Sequence, residues 1–174
     1  TVPAWASMTS SRDPGALGVY GFRNRKDHSY DAMFTANSTA IKVPRVWDIL
    51  SRAGKKVAVL GVPQTFPVRP VNGWLVSGFL APDTNADYTY PKALKTELTE
   101  AIGEYIIDVK GFRTNDKERL LQRVHELMEN RFDAAQYLVK NKPWDFFMMV
   151  EMGVDRLHHG FWKYCDRDHP AYEP

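Results

Sequence analysis

An aspartate and a histidine four residues apart stand near the end of the chain, in the stretch VDRLHH. In a helix, Asp155 and His159 would lie on one face, about one turn apart. A carboxylate oxygen and an imidazole nitrogen directed at one point are suitable ligands for Zn²⁺ or a similar divalent ion. The same spacing also occurs in ordinary ion pairs on helix surfaces, so the pattern alone leaves both roles open. His158 lies about 100° further round the helix, which favours a supporting or packing role.

A second stretch, PAWASMTSSRDPG, holds several hydroxyl side chains near the beginning of the sequence. Ser7 follows Pro3 and is predicted early in a short helical turn, where free N–H groups stabilise a phosphate or an oxyanion. A serine nucleophile also needs a base or a metal to activate it. The chain has neither the Gly-x-Ser-x-Gly elbow of serine hydrolases nor the P-loop motif Gly-x-x-x-x-Gly-Lys. The alternative for Ser7 is a solvated helix cap.

The elements that must position these residues predict an α/β layered fold, because helices alternate with apolar strands. The last strand, WDFFMMVEMG, is apolar almost throughout, which is typical of the centre of a parallel sheet covered on both faces. Residues 105–110 are predicted as a short strand or extended segment, and residues 18–40 as a polar loop. The predicted helices are 5–11, 44–53, 91–103 and 116–141, and the predicted strands are 56–61, 73–80 and 144–153.

In such folds, ligands bind outside the carboxyl ends of the strands. Asp155 and His159 directly follow the last predicted strand, so they lie where α/β enzymes keep their chemistry. Ser7 would occupy an equivalent place if a strand preceded Thr1.

The composition excludes several classes of protein. The 174 residues suit one domain, and 44% hydrophobic with 25% charged residues is enough for a packed core. A net charge of +2 is too small to indicate a nucleic acid polymer as partner. The single cysteine, Cys165, excludes an internal disulfide, and we expect a reduced, cytoplasmic setting. No apolar run approaches the roughly 20 residues that span a bilayer.

Three segments together resemble one known family. They are TVPAWASMTSSRDPGALGVYGF, VAVLGVPQTFPVRPVNGWLVSGFLAPDT and FFMMVEMGVDRLHHGFWKY. In order, they resemble the nucleophile segment, the strand with its Pro-x-Thr-aromatic-Pro turn, and the Asp-x-x-x-His segment of type I phosphodiesterases/nucleotide pyrophosphatases, which belong to the alkaline phosphatase superfamily. The segments agree with that family in order and direction, and they span nearly the whole chain.

The resemblance implies an alkaline phosphatase-like layered sandwich, with a mostly parallel central sheet flanked by helices, of which residues 1–174 form part of a single catalytic domain. It implies that Ser7 is the nucleophile and a ligand of one metal, and that Asp155 and His159 bind the other metal. Two divalent ions, Zn²⁺ or alternatively Mn²⁺, would then act on a small phosphate ester through a covalent phosphoserine.

The family's other metal ligands lie before the nucleophile and well after the Asp-x-x-x-His segment, and they have no counterpart in the chain. We therefore expect a fragment that lacks both flanks and is inactive by itself. A phosphomonoesterase or phosphomutase relative on the same metal core remains an alternative. A sulfatase is disfavoured because SMTSS does not match its Cys/Ser-x-Pro-x-Arg motif. A non-catalytic binding domain that keeps the fold is the alternative from another class.

Two further groups are candidates for contact with a substrate. Arg23, Asn24 and Arg25 follow the nucleophile segment and suit an anionic substrate, with a solvated loop as the alternative. Thr65 and Phe66 lie in a turn after the strand predicted at 56–61, at the expected rim of the pocket.

Overall fold

The computed structural model describes residues 1–173 and shows an α/β fold, with helices packed around a mostly parallel sheet. A short 3₁₀ turn lies at Ser38–Ala40. The strands are β1 (Arg23–Arg25), β2 (Met33–Thr35), β3 (Val57–Leu60), β4 (Gly73–Val76), β5 (Thr89–Tyr90) and β6 (Phe146–Met149). The helices are α1 (Val2–Ser10), α2 (Pro14–Leu17), α3 (Val46–Arg52), α4 (Ala93–Ile102), α5 (Lys117–Asn141) and α6 (Gly153–Cys165).

Residues 1–173 form a main sheet of four strands in the order β5-β4-β3-β6. β3 pairs in parallel with β4 on one side and with β6 on the other, and β5 runs antiparallel to β4. In register, Leu60 at the end of β3 lies opposite Val76 of β4 and Met149 of β6. The carboxyl ends of the three parallel strands therefore meet at one edge of the sheet, the edge from which α6 begins.

The core lies on both faces of β3, whose four residues are all buried. Successive side chains of a strand point to opposite faces. Val57 and Val59 pack with Trp47 of α3 in one cluster, whereas Leu60 packs with Leu98 of α4 in another. The long helix α5 contributes to both clusters and so holds the two faces together.

The main helices and strands predicted from periodicity are confirmed. The helix predicted at 116–141 is α5, whose N-cap Asp116 accepts a hydrogen bond from the amide of Arg119. The helix that was expected after Pro44 is α3, and the strand expected at 56–61 is β3. The strand expected at 73–80 ends at Val76, and residues 105–110 form no strand ladder within the described chain.

Two expectations about the sheet and the loops were wrong. The last strand covers only Phe146–Met149, and among residues 1–173 it lies at the edge of the sheet with half-buried side chains. An apolar run indicates that both faces of a strand are covered, but it does not indicate how many strands pair with it. The run therefore did not establish that this strand lies at the centre of the sheet. The polar stretch 18–40 holds an antiparallel pair, β1 and β2, whose three-residue strands are too short for a hydrophobic pattern.

Among the tyrosines of the core, Tyr105 has the most strongly shifted pKa. Its ring is buried and stacks on Tyr88 with 5.5 Å between ring centroids, and its hydroxyl has no hydrogen-bond partner among residues 1–173. Burial raises the pKa of Tyr105 to about 12, because a phenolate loses its hydration in the core.

Tyr105→Phe is expected to reduce the loss of stability in alkaline solution. An unfolded tyrosine ionises near pH 10, whereas the folded protein keeps Tyr105 neutral up to about pH 12. Between these values the unfolded chain binds fewer protons, so the free energy of unfolding falls by up to about 1.4 kcal/mol per pH unit. Urea titrations from about pH 8 to about pH 11 should show a flatter profile in the variant. The exposed Tyr20→Phe serves as the control, and equal profiles for the parent and Tyr105→Phe would contradict the prediction.

Within residues 1–173, no helix combines the length and the apolar character needed to cross a membrane.

Candidate active site

The structure brings Asp155 and His159 together on one face of α6, close to the beginning of the helix. Asp155 Oδ1 and His159 Nε2 are 3.7 Å apart, which is too far for a direct hydrogen bond. Their side chains are 44% and 66% exposed, so solvent reaches both. The two side chains therefore share one solvent-exposed face of α6, without a direct hydrogen bond between them.

The beginning of α6 is fixed by a tight junction after β6. The amide of Gly153 donates a hydrogen bond to Glu151 Oε1 at 2.6 Å. A Cβ on Gly153 would lie 2.3 Å from Met128 Cγ, so a larger residue there would have to displace the Met128 side chain between α6 and α5. Glu151 thus fixes the junction through its side chain. The junction places Asp155 just beyond the carboxyl edge of the sheet.

Arg156 braces the aspartate from the side. Its Nε and Nη2 donate to the two carboxylate oxygens of Asp108 at 2.8 and 2.6 Å, and its Nη1 donates to Asp155 Oδ2 at 3.0 Å. The Arg156 side chain is only 16% exposed, and Phe79 and Phe112 lie beside its guanidinium. Arg156 therefore holds Oδ2 of Asp155 and leaves Oδ1 directed toward His159. The sequence did not reveal this brace because Asp108 lies far away along the chain.

The donor pair fits two positions of a metal site. Two ligands about 2.0 to 2.1 Å from a tetrahedral zinc stand about 3.3 to 3.4 Å apart. The 3.7 Å between Asp155 Oδ1 and His159 Nε2 is close to that separation. Among residues 1–173, however, no group of three or more His, Cys, Asp or Glu side chains is placed to hold a metal. The described residues therefore offer no more than two neighbouring candidate ligands for a metal at this place.

Ser7 lies in the middle of α1, and the expectation that it stands at the head of a turn was wrong. The helix already begins at Val2, with Pro3 in its first turn, so Ser7 comes more than a turn later. Its Oγ is buried and has no hydrogen-bond partner in the part of the chain that the structure describes. Among residues 1–173, no hydrogen bond joins Ser7 to Asp155 or His159, so its role as nucleophile remains a prediction.

The hydroxyl that does stand at the head of α1 belongs to Thr1. Thr1 is the N-cap residue of the helix and is exposed. The free N–H groups and the positive end of the helix dipole lie beside it, which favours an anionic group there. The signal in the sequence is Thr-Val-Pro, a cap residue followed by a proline in the first turn.

Of the three residues predicted to contact substrate, two are available. Arg23 and Arg25 are exposed on β1, whereas Asn24 is buried between them. The Asn24 Oδ1 accepts from the amide of Tyr20 at 2.8 Å, and its Nδ2 donates to the carbonyl of Gly21 at 2.9 Å. The amide of Asn24 is thus engaged in fixing the preceding turn.

The turn after β3 is also internally satisfied. Thr65 is buried, and its Oγ1 donates to the carbonyl of Val62 at 2.7 Å and accepts from the amide of Gly78 at 3.0 Å. Thr65 therefore ties the turn after β3 to the end of β4, while Phe66 is only half-buried. The preceding Gln64 is buried in the left-handed conformation, with φ of 60°.

A cleft of about 440 Å³ opens beside His159, between α6 and the segment 112–117. Its two cationic residues are Arg113 and Lys117. The sequence did not indicate that they lie near His159, because they are far from it along the chain. Its lining consists of Phe112, Arg113, Thr114, Asn115, Lys117, His159 and Gly160.

Comparison with known proteins gives one result. The family model described as type I phosphodiesterase / nucleotide pyrophosphatase matches residues 1–172 of the 174-residue chain. No curated protein and no solved structure matches the chain.

Proposed function

The chain belongs to the type I phosphodiesterase/nucleotide pyrophosphatase family, a family of phosphoester hydrolases, and we propose that it acts in a metal-dependent phosphodiesterase. The observation that carries the metal dependence is the pair Asp155 and His159, with 3.7 Å between their donor atoms. Its position just beyond the carboxyl edge of the parallel strands supports the same role.

Asp155 and His159 would hold one divalent ion, for which Zn²⁺ is the first choice and Mn²⁺ the alternative. When bound, the ions would supply charge that ionises the nucleophile and stabilises the phosphoryl group. Arg156 orients Asp155 by holding its second oxygen. Because the described residues offer too few ligands, we propose that further ligands come from elsewhere and that the 174 residues alone are inactive.

We propose that α1 supplies the nucleophilic hydroxyl. The resemblance assigns this role to Ser7, and the helix geometry offers Thr1 as the alternative. The hydroxyl oxygen would form a bond to phosphorus while the bond to the leaving oxygen breaks. The leaving oxygen keeps the electron pair of that bond and takes a proton from solvent, and the nucleophile loses its own proton. Water then attacks the phosphorylated residue, releases phosphate monoester and restores the hydroxyl.

The natural protein that carries this chain is expected to hydrolyse bis-p-nitrophenyl phosphate faster than p-nitrophenyl phosphate. A chelator should abolish the turnover, and added Zn²⁺ should restore it. The reason is that the proposed metal ions ionise the nucleophile and stabilise the phosphoryl group. A calorimetric zinc titration of the 174 residues alone should show no tight binding of two ions. Faster monoester hydrolysis would favour the phosphomonoesterase alternative, and tight binding of two ions would overturn the incomplete site.

Ser7→Ala and Thr1→Ala in the same protein test the nucleophile. One of the two variants is expected to abolish turnover. The other variant also removes a hydroxyl from α1 but should retain turnover, so it serves as the matched control. If both variants work at the parent's rate, α1 does not supply the nucleophile. If the parent itself hydrolyses neither ester with metal present, the non-catalytic binding domain is the better reading.

A further inference from the structure

A row of apolar side chains runs along α5 outside the core of residues 1–173. Leu121, Phe132 and Val139 are 38%, 47% and 45% exposed, and Met128 lies half-buried between them. Successive members of this apolar row are seven, four and seven residues apart, so all four lie on one face of the helix. The buried residues of α5 form the neighbouring face. The exposed apolar surface of α5 is therefore continuous along the helix rather than scattered.

Two adjoining clefts turn the apolar row into a groove. Their volumes are about 500 and 510 Å³, and both are lined by His125 and Glu129. Leu121 lies in the first cleft, and Met128 and Phe132 lie in the second. At 1.5 Å per residue, the row extends over about 27 Å, the length of about five helical turns. A helix with apolar side chains at the same spacing could pack along its whole length.

Carboxylates line the groove along the apolar row. They are Glu118, Glu126, Glu129 and Asp133, and no Lys or Arg lines either cleft. Within residues 1–173, none of the four forms an ion pair. Glu126, Glu129 and Asp133 follow each other at spacings of three and four residues, at which like charges destabilise a helix. A cationic partner would relieve this repulsion.

We propose that the groove on α5 docks a basic amphipathic helix of a partner protein. The apolar side chains of the partner helix pack on the apolar row, and its Lys or Arg side chains pair with the four carboxylates. Charge disfavours a second copy of the chain as the occupant, because two α5 helices packed face to face would bring the same carboxylates together. Asp155 and His159 lie on α6 and line neither cleft, so this docking surface is independent of the proposed catalysis.

Fluorescence anisotropy with a labelled peptide tests the groove in the natural protein that carries this chain. The probe is a helical peptide of about three heptads, with leucine at the a and d positions and lysine or arginine beside them. A control peptide keeps the leucines and carries glutamate in place of the basic residues. The basic probe is expected to bind at least about tenfold more tightly than the control peptide, equivalent to about 1.4 kcal/mol.

The double variant Leu121→Ala/Phe132→Ala tests the apolar contact. It should bind the basic probe about tenfold more weakly, because buried apolar anchors carry most of the energy of an interface. Ile49→Ala removes an apolar side chain that is 55% exposed on α3, and it should leave the affinity unchanged. All three side chains are exposed, so we expect the variants to fold, and circular dichroism checks this.

The triple variant Glu126→Gln/Glu129→Gln/Asp133→Asn tests the charge contact. It should also weaken binding about tenfold and reduce the dependence of the affinity on salt, because ions screen only charged contacts. The control variant Asp31→Asn/Glu100→Gln/Asp168→Asn removes three exposed carboxylates outside the groove and should bind like the parent.

The proposal is overturned if the basic probe does not bind the natural protein, which is the result expected if another part of that protein covers the groove. Equal affinity for the two peptides, unchanged affinity in either groove variant, or an equal loss in its control would also overturn it. Size-exclusion chromatography tests the remaining occupant. A dimer of the natural protein that dissociates in Leu121→Ala/Phe132→Ala would show that a second copy fills the groove, against the proposal.

Discussion

Gly61→Ala is expected to lower the free energy of unfolding by about 3 kcal/mol, one of the largest effects of any single methyl group in this fold. Gly61 follows β3 directly and has a φ of 70°, in the left-handed region that L-residues avoid. A Cβ there would lie 1.8 Å from Arg131 Nη1 and 2.9 Å from the carbonyl oxygen of Val150. The substitution therefore combines backbone strain with a steric clash.

The clash has no inexpensive escape, because the guanidinium of Arg131 is enclosed. Arg131 is buried in α5, and its Nη2 donates to the carbonyl groups of Ile106 and Ile107 at 3.4 and 3.3 Å. Within the described part of the chain, its Nε and Nη1 have no hydrogen-bond partner. Moving Arg131 would sacrifice the contacts that its remaining nitrogen makes.

Urea unfolding of Gly61→Ala, compared with that of Gly54→Ala, measures how much of the lost unfolding free energy comes from the steric clash. Gly54 has a φ of 77°, and no atom of residues 1–173 lies within 4 Å of an added Cβ, so its substitution carries only the backbone cost of about 1 kcal/mol. Adding Arg131→Met to Gly61→Ala should recover part of the loss, because it removes the clashing atom, and the double-mutant cycle should show strong coupling. Equal effects of Gly61→Ala and Gly54→Ala would refute the prediction.

Local patterns in the sequence predicted what local geometry decides. The alternation of helix and strand around Gly54 predicted the α/β class, and the 3–4 spacing of apolar residues predicted α5 almost to its ends. The spacing of Asp155 and His159 predicted their common face, because any helix brings such residues together. None of these predictions needed knowledge of contacts between distant elements.

The features that escaped prediction depend on long-range placement. The brace from Asp108 to Arg156 and the cleft with Arg113 and Lys117 form only when the segment after α4 folds against α6. The position of β6 at the sheet edge among residues 1–173 depends on strand pairing, which an apolar run does not encode. Ser7 was misplaced within α1 because the sequence left the start of the helix uncertain by about a turn.

Asp155→Asn is expected to reduce turnover of bis-p-nitrophenyl phosphate by at least about 100-fold in the natural protein that carries this chain. The amide keeps the shape of the side chain and can still contact Arg156, but it loses the negative charge that binds a cation. His159→Gln should cause a loss of similar size because it removes the imidazole nitrogen. Both losses should be accompanied by weaker metal binding, measured by the metal concentration that restores half of the activity after chelation.

The fold should tolerate both substitutions, which separates loss of function from loss of structure. The side chains are 44% and 66% exposed and share no direct hydrogen bond, so we expect stability changes within about 1 kcal/mol. Asp133→Asn and His125→Gln replace the same residue types at exposed positions on α5 and should keep the parent's turnover.

The double variant distinguishes a shared metal from two independent roles. If Asp155 and His159 hold one ion, the first substitution already removes most of what the ion contributes, and the second adds much less than its single effect. If they act separately, the two losses multiply. Full turnover in either single variant would exclude that residue as a metal ligand. If the two losses multiply, both residues matter for turnover but they do not bind the same ion. A loss in the double variant only slightly greater than in Asp155→Asn alone is the result expected if one ion is held between these two side chains, whose donor atoms lie 3.7 Å apart.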